Sequence, residues 1–261
     1  MKKIVLKFCL IFIVILMSFS LTACDFLDAI TGEDGFTPTS AQMVTALKEA
    51  LTKGSSDTTD ELSKAGGFYG SARQIPLPPE AANFVKNAAQ IPGANKAVSD
   101  LLERINRAAE EASKSIFRIF GDAIMEMTFD DALTILKGKN SEATDYFREK
   151  TTGPLITEFS PILDLALEHD IVGNVSAQDA WGTLTKINND FVNGTLTSYL
   201  AGQLGLKRIN TDLSDFVLQK TLDAVWDELA KIEQQIREDP LKFVTNLFSD
   251  ISANVFKWAK K

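Results

Sequence analysis

Thiols and imidazoles are scarce in this chain: 261 residues carry two cysteines and one histidine. Cys9 lies inside an N-terminal apolar run and Cys24 just after it. If that run is a removed leader, one cysteine is left, no disulfide can form within the chain, and packing alone must supply stability. His169, in "EHD" near a helix end, lacks the i, i+3 or i+4 partners of helix-borne metal ligands and reads as a surface residue. No metal and no cofactor is expected. There is no G-x-S-x-G elbow, and "AGQLGLKR" (201–208) lacks the G-K-[ST] ending of a phosphate loop. Long apolar spans are also missing. The run from Phe8 to Met17 falls short of the roughly 20 residues a membrane-crossing helix needs.

What is present begins with Lys2, Lys3 and Lys7, then that short apolar run and small residues, the pattern of a secretory signal peptide over 1–23. Leu21-Thr22-Ala23-Cys24 resembles the bacterial lipobox. The resemblance implies cleavage between Ala23 and Cys24, diacylation of the Cys24 thiol with palmitate-like chains, and acylation of the new amine. The alternatives are a short membrane anchor, or an ordinary signal with a chance cysteine. Each buried methylene contributes about 0.8 kcal/mol, and two chains anchor stably where one is marginal. Membrane lipid is thus the expected partner, through acylated Cys24, with the domain in the periplasm. Asp25 resembles an inner-membrane retention signal; inner against outer membrane stays open. Losing Lys2, Lys3 and Lys7 would take the net charge from −8 to −11, a surface that repels nucleic acid.

Residues 24–40, with Gly32, Gly35 and Pro38, read as a lipidated N-terminus and flexible spacer. Almost everything from Ala41 on has helical periodicity, and no linker divides 41–261, so one all-helical domain is expected. "RQIPLPP" (73–79) reads as a polyproline-like link. Val98, Leu101, Leu102, Ile105, Ala108, Ala109, Ala112, Ile116, Ile119, Phe120, Ala123 and Met127 recur at three- and four-residue steps. If continuous, that helix would span about 50 Å, with "ASKS" and Gly121 as the places to break. Thr128 and Asp131 form a capping-box pattern for "FDDALTILK", which should stop at Gly138. Ser141 should cap "EATDYFREK". Gly153-Pro154 punctuates, and Pro161 implies a kink or break. Residues 171–196 read as a less regular excursion.

Leu218, Leu222, Val225, Leu229, Ile232 and Ile236 form a heptad-like seam that wants a helical partner. A last helix places Leu241, Val244, Leu247, Phe248, Ile251, Val255 and Trp258 on one face. The fold class is all-α: a helical bundle of long amphipathic helices.

"GGFYGSARQIPLP" (66–78), "INRAAEEA" (105–112), "DAIMEMTFDDALTILKG" (122–138), "EATDYFREKT" (142–151) and "LQKTLDAVWDELAKIEQQIREDP" (218–240) together resemble an uncharacterised family of bacterial envelope lipoproteins, domain of unknown function 4197. The resemblance covers most of 43–170 and 199–240 and is weak over 171–196. It implies a helical lipoprotein at the Gram-negative envelope and supplies no reaction and no site residues.

The richest polar cluster is "NRAAEEA". Asn106 with Glu110, and Arg107 with Glu111, lie one helical turn apart. A polar pocket is one reading, with Asn106, Arg107 and Glu110 joined by Asp131, Tyr146 and Arg148, where a fixed guanidinium could grip a carboxylate or phosphate. A solvated face with structural ion pairs is the other. Asp130 and Asp131 could act as paired carboxylates, although capping explains them more simply. Lys257, Trp258, Lys260 and Lys261 form a candidate membrane contact, against docking of the same helix on the bundle. The expected function is a non-enzymatic envelope scaffold or interaction module with an envelope protein partner. Alternatives are a binding protein for a small amphiphile or lipid, and a hydrolase using Asp130, Asp131 or Glu110.

Overall fold

The computed structural model describes residues 36–88, 94–168, 170–172, 175–243 and 249–260. Ala23, Cys24, Asp25, His169, Val244, Leu247, Phe248 and Lys261 lie outside the described residues. The fold is all-α. Its elements are α1 (Ser40–Ser63), a 3-10 turn (Pro79–Ala81), α2 (Ala82–Ala88), α3 (Ala94–Ser113), α4 (Ile116–Glu126), α5 (Phe129–Lys137) and α6 (Glu142–Glu168). Then come a short antiparallel pair, β1 (Asp170–Val172) and β2 (Val175–Ser176), followed by α7 (Ala177–Asn193) and α8 (Ser198–Gln203). The chain ends with α9 (Leu213–Glu238), a second 3-10 turn (Pro240–Phe243) and α10 (Asp250–Ala259).

These elements fall into two compact units. One takes the chain up to Ala50, Thr128–Gly138 and Ile236–Lys261; the other takes Leu51–Met127 and Lys139–Gln235. The divisions at Ala50–Leu51 and Gln235–Ile236 fall inside continuous helices. No Pro- or Ser-rich linker marks them for that reason.

In the smaller unit, Thr39 and Gln42 exchange reciprocal side-chain-to-backbone hydrogen bonds (3.2 and 2.8 Å) that start α1. Thr128 and Asp131 do the same for α5 (3.0 and 3.2 Å). The core gathers Met43, Ala46, Leu47 and Ala50 with Ala132, Ile135, Leu136, Ile236, Ala253, Val255 and Phe256. The expected face of the last helix is corrected at two positions. Ile251 and Leu241 are exposed, and Ala253 and Phe256 are buried in their place. Ser249 caps α10 by accepting from Ser252 N–H (3.3 Å), and Val255 is buried as the apolar pattern expects.

In the larger unit, the twelve-residue seam from Val98 to Met127 breaks within "ASKS", at Lys114 and Ser115, and runs straight through Gly121. Ser113 and Ser115 hydroxyls donate to the Ala109 and Ala112 carbonyls (2.8 and 2.9 Å), local side-chain bonds that compete with the helical ladder at the interruption. Phe120 stacks on Phe147 (4.4 Å between ring centroids) and on Trp226 (6.1 Å). The seam residues Leu218, Leu222, Val225, Leu229 and Ile232 are all buried.

α6 corrects the expectation of breaks at Gly153-Pro154 and Pro161: both prolines lie inside one helix. Ala143, Phe147, Thr151, Leu155, Phe159, Leu163 and Leu167 form a buried ladder at four-residue steps. Pro154 and Pro161 are both exposed, so the carbonyls they deprive of partners, on Lys150 and Thr157, are on the side open to water. Burial of the ladder outweighs a penalty of about 3 kcal/mol per proline. Residues 171–196 are mostly the regular helix α7.

Candidate functional site

The polar cluster of α3 faces the extended segment that follows α1. Asn106 is fully buried; its Oδ1 accepts from Ile75 N–H (2.7 Å) and its Nδ2 donates to Ile75 C=O (2.9 Å) and Leu102 C=O (2.8 Å). One side-chain amide thereby gives a backbone unit in a non-helical stretch the donor and acceptor that a neighbouring strand would supply. One turn further on, Glu110 Oε1 accepts from three main-chain N–H groups, those of Gly66, Phe68 and Tyr69, each at 3.1 Å. Its Oε2 accepts from Arg107 Nη1 at 2.8 Å. Arg107 is half-exposed and lies over the Tyr69 ring, 5.2 Å from the centroid.

Glycines let the chain turn tightly enough for those N–H groups to converge. Gly66 adopts φ +83°, and a Cβ on Gly67 would lie 2.3 Å from the Leu62 carbonyl oxygen. Phe68 and Ile75 then enter the core almost completely. Burial pushes the Glu110 carboxyl up. The Arg107 hydrogen bond, the Phe68 and Tyr69 N–H groups and the Arg107 charge outweigh it, holding the group below its ordinary 4.5. The carboxylate stays ionised and bonded, a structural tie and not a free base.

The other pocket candidates are elsewhere engaged. Tyr146 Oη donates to the Ala123 carbonyl (3.1 Å) near the end of α4. Arg148 is exposed, 3.5 Å from Asp145, with its guanidinium 5.6 Å from the Trp226 ring centroid. Asp131 belongs to the smaller unit, where it completes the α5 cap. Asp130 also sits in that first turn. Among the described residues no group of three or more His, Cys, Asp or Glu side chains could hold a metal ion. Also among them, no helix is long and apolar enough to cross a membrane.

On α10, Trp258 is half-buried, with Lys137 Nζ 3.7 Å from its ring centroid, while Lys260 Nζ donates to the Glu238 carbonyl (2.8 Å). Lys257 is exposed.

A family model matches residues 37–253. The chain belongs to that family, protein of unknown function (DUF4197). No curated protein and no solved structure matches it. The match runs through residues 171–196, so the weaker resemblance there is not a gap in this DUF4197 chain.

Several polar residues with structural work escape a reading by spacing alone. Glu233 is buried and accepts from Ala143 and Thr144 N–H (3.0 and 2.9 Å), supplying the negative charge at the start of α6 that Ser141 was expected to cap. Glu49 accepts from Ser249 N–H and Ser252 Oγ at the start of α10 (2.9 and 2.7 Å). Arg237 donates to the Ile135 carbonyl near the end of α5 (2.8 Å). Each carboxylate or guanidinium meets a helix end far away in sequence. The only hint available was an acid, Glu233, next to the apolar seam position Ile232.

Proposed function

We propose that the protein is an envelope lipoprotein held to a membrane by acyl chains on Cys24, with its helical units serving as a non-enzymatic interaction scaffold in the periplasm. The observation that carries this is Leu21-Thr22-Ala23-Cys24 at the end of a short apolar run behind Lys2, Lys3 and Lys7. Two acyl chains suffice for stable anchoring. The non-enzymatic part draws support from the most promising polar cluster, in which both Glu110 oxygens and both Asn106 polar atoms are bonded to the protein's own chain or side chains. Groups held so firmly fix geometry and do not exchange protons with a substrate.

The anchor is tested by intact mass of the protein extracted from its native membrane. The expected result is a chain beginning at Cys24 with two or three acyl adducts. A mature N-terminus with the mass of bare polypeptide overturns the reading. Cys24→Ala should move the protein from the membrane to the soluble fraction. The scaffold role is tested by crosslinking in cells: an envelope protein partner is expected, and recovery of the chain alone counts against it.

A further inference from the structure

The apex of the larger unit exposes apolar side chains that nothing in the unit covers. Leu196, Tyr199, Leu200 and Leu204 lie along α8 and its flanks, Tyr199 and Leu200 being three and four residues after Leu196 and Leu204 four after Leu200, with 90, 74, 53 and 48 % of their surface exposed. The opposite side of α8 buries Ala201, so the helix is seated correctly and its apolar side is outward. Exposed apolar side chains grouped on a single short element suit a contact surface.

The charge of the same region differs from the rest. Between Ala180 and Thr211 the charged residues are Lys186, Asp190, Lys207 and Arg208, with Asp179 and Asp212 flanking the stretch, so the local excess of positive charge is confined to the adjacent pair Lys207 and Arg208. Asp190 is paired with Lys186 (2.7 Å), while Lys207 and Arg208 are exposed just past the apolar residues. Apolar side chains with one tyrosine among them and basic residues next in sequence suit the boundary between acyl chains and anionic headgroups. Elsewhere the acidic surface repels such a layer, which would restrict contact to this apex.

We propose that the α7–α8 apex docks on the surface of an anionic lipid bilayer, inserting Leu196, Tyr199, Leu200 and Leu204 with Lys207 and Arg208 at the headgroups. This goes beyond the Cys24 tether and stands or falls apart from it. The test therefore uses the chain from residue 24 onward with Cys24→Ser, so that no acyl chain contributes. Flotation with phosphatidylglycerol-containing vesicles should carry the protein, and pure phosphatidylcholine vesicles should not.

Lys207→Gln with Arg208→Gln should weaken partitioning by about 5-fold for each charge removed. Raising salt should weaken the parent in the same direction. Leu196→Ser with Tyr199→Ser and Leu200→Ser should abolish it while the melting temperature stays unchanged. If that triple variant fails to fold, the charge variant and the salt titration still decide. Absence of flotation, equal binding to both vesicle types, or partitioning indifferent to both variants overturns the proposal. Self-association by sedimentation, lost in the triple variant and without vesicle binding, overturns it in favour of a second copy.

Discussion

Two extended segments of the larger unit lie along helices and are held by side chains, with different chemistry. The segment after α1 is held on α3 by Asn106 and by the ionised Glu110. The segment after α8 is held on α7 by neutral groups only. Asn189 Oδ1 accepts from Ile209 N–H (2.8 Å) and its Nδ2 donates to Ile209 C=O (2.7 Å). Asn188 Nδ2 donates to the Lys207 carbonyl (2.7 Å) and Trp181 Nε1 to the Thr211 carbonyl (3.0 Å). In both, one asparagine pairs with both polar groups of one isoleucine that is buried, Ile75 or Ile209. The shared device solves the shared problem of backbone that leaves water without a strand partner. Only the first segment adds a charge, because only there do three N–H groups converge on one point.

The comparison makes the first segment the costlier one to disturb. Glu110→Ala should lower stability by about 3–5 kcal/mol, since it leaves three converging N–H groups without their acceptor, while the half-exposed Arg107 keeps water and Glu103 (3.6 Å). Chemical denaturation measures it, and a loss no larger than that of Asn189→Ala would dissolve the distinction. Asn106→Ala should cost about 2–4 kcal/mol by leaving both Ile75 groups unpaired in the core. Amide exchange at Ile75 should accelerate with it while Ile209 is unaffected.

pH separates the segments next. Because the Glu110 carboxyl is held below 4.5 in the folded protein, its contribution is complete above the unfolded value and is lost as pH falls through the folded one. Protection factors at Phe68 and Tyr69, corrected for the intrinsic pH dependence of exchange, should therefore fall below about pH 4.5, while that of Ile209 holds as the reference. Glu110→Gln should remove most of that dependence. Smallest, Asn189→Ala should cost about 1–2 kcal/mol, as its bonds are partly wet. Its melting shift should be the same at pH 4 and pH 7, to a first approximation.

Much of the fold was legible where the chain repeats itself. The seam from Leu218 to Ile236 buries as its spacing demands, as does that from Val98 to Met127 apart from the half-buried Val98 and Leu102, and Thr128 with Asp131 is a local capping signal that needs no tertiary knowledge. The candidate site was legible in part. "NRAAEEA" stands out as the richest polar cluster, but its partners Gly66, Phe68, Tyr69 and Ile75 lie 31 to 44 residues away, beyond any periodic argument. Asp131 and Tyr146, read from spacing as pocket residues, have local or helix-end hydrogen bonds of their own. The prolines of α6 misled because their local rule says nothing of which side faces water.

The cramped spot at Gly67 has a reach far beyond its size. A single methyl there would strike the Leu62 carbonyl and force the polypeptide to leave α1 along another path. Phe68 would rise from its slot, and the carboxylate waiting some forty residues downstream would lose its ring of amides. One missing carbon atom thus sets the course of a whole stretch of chain.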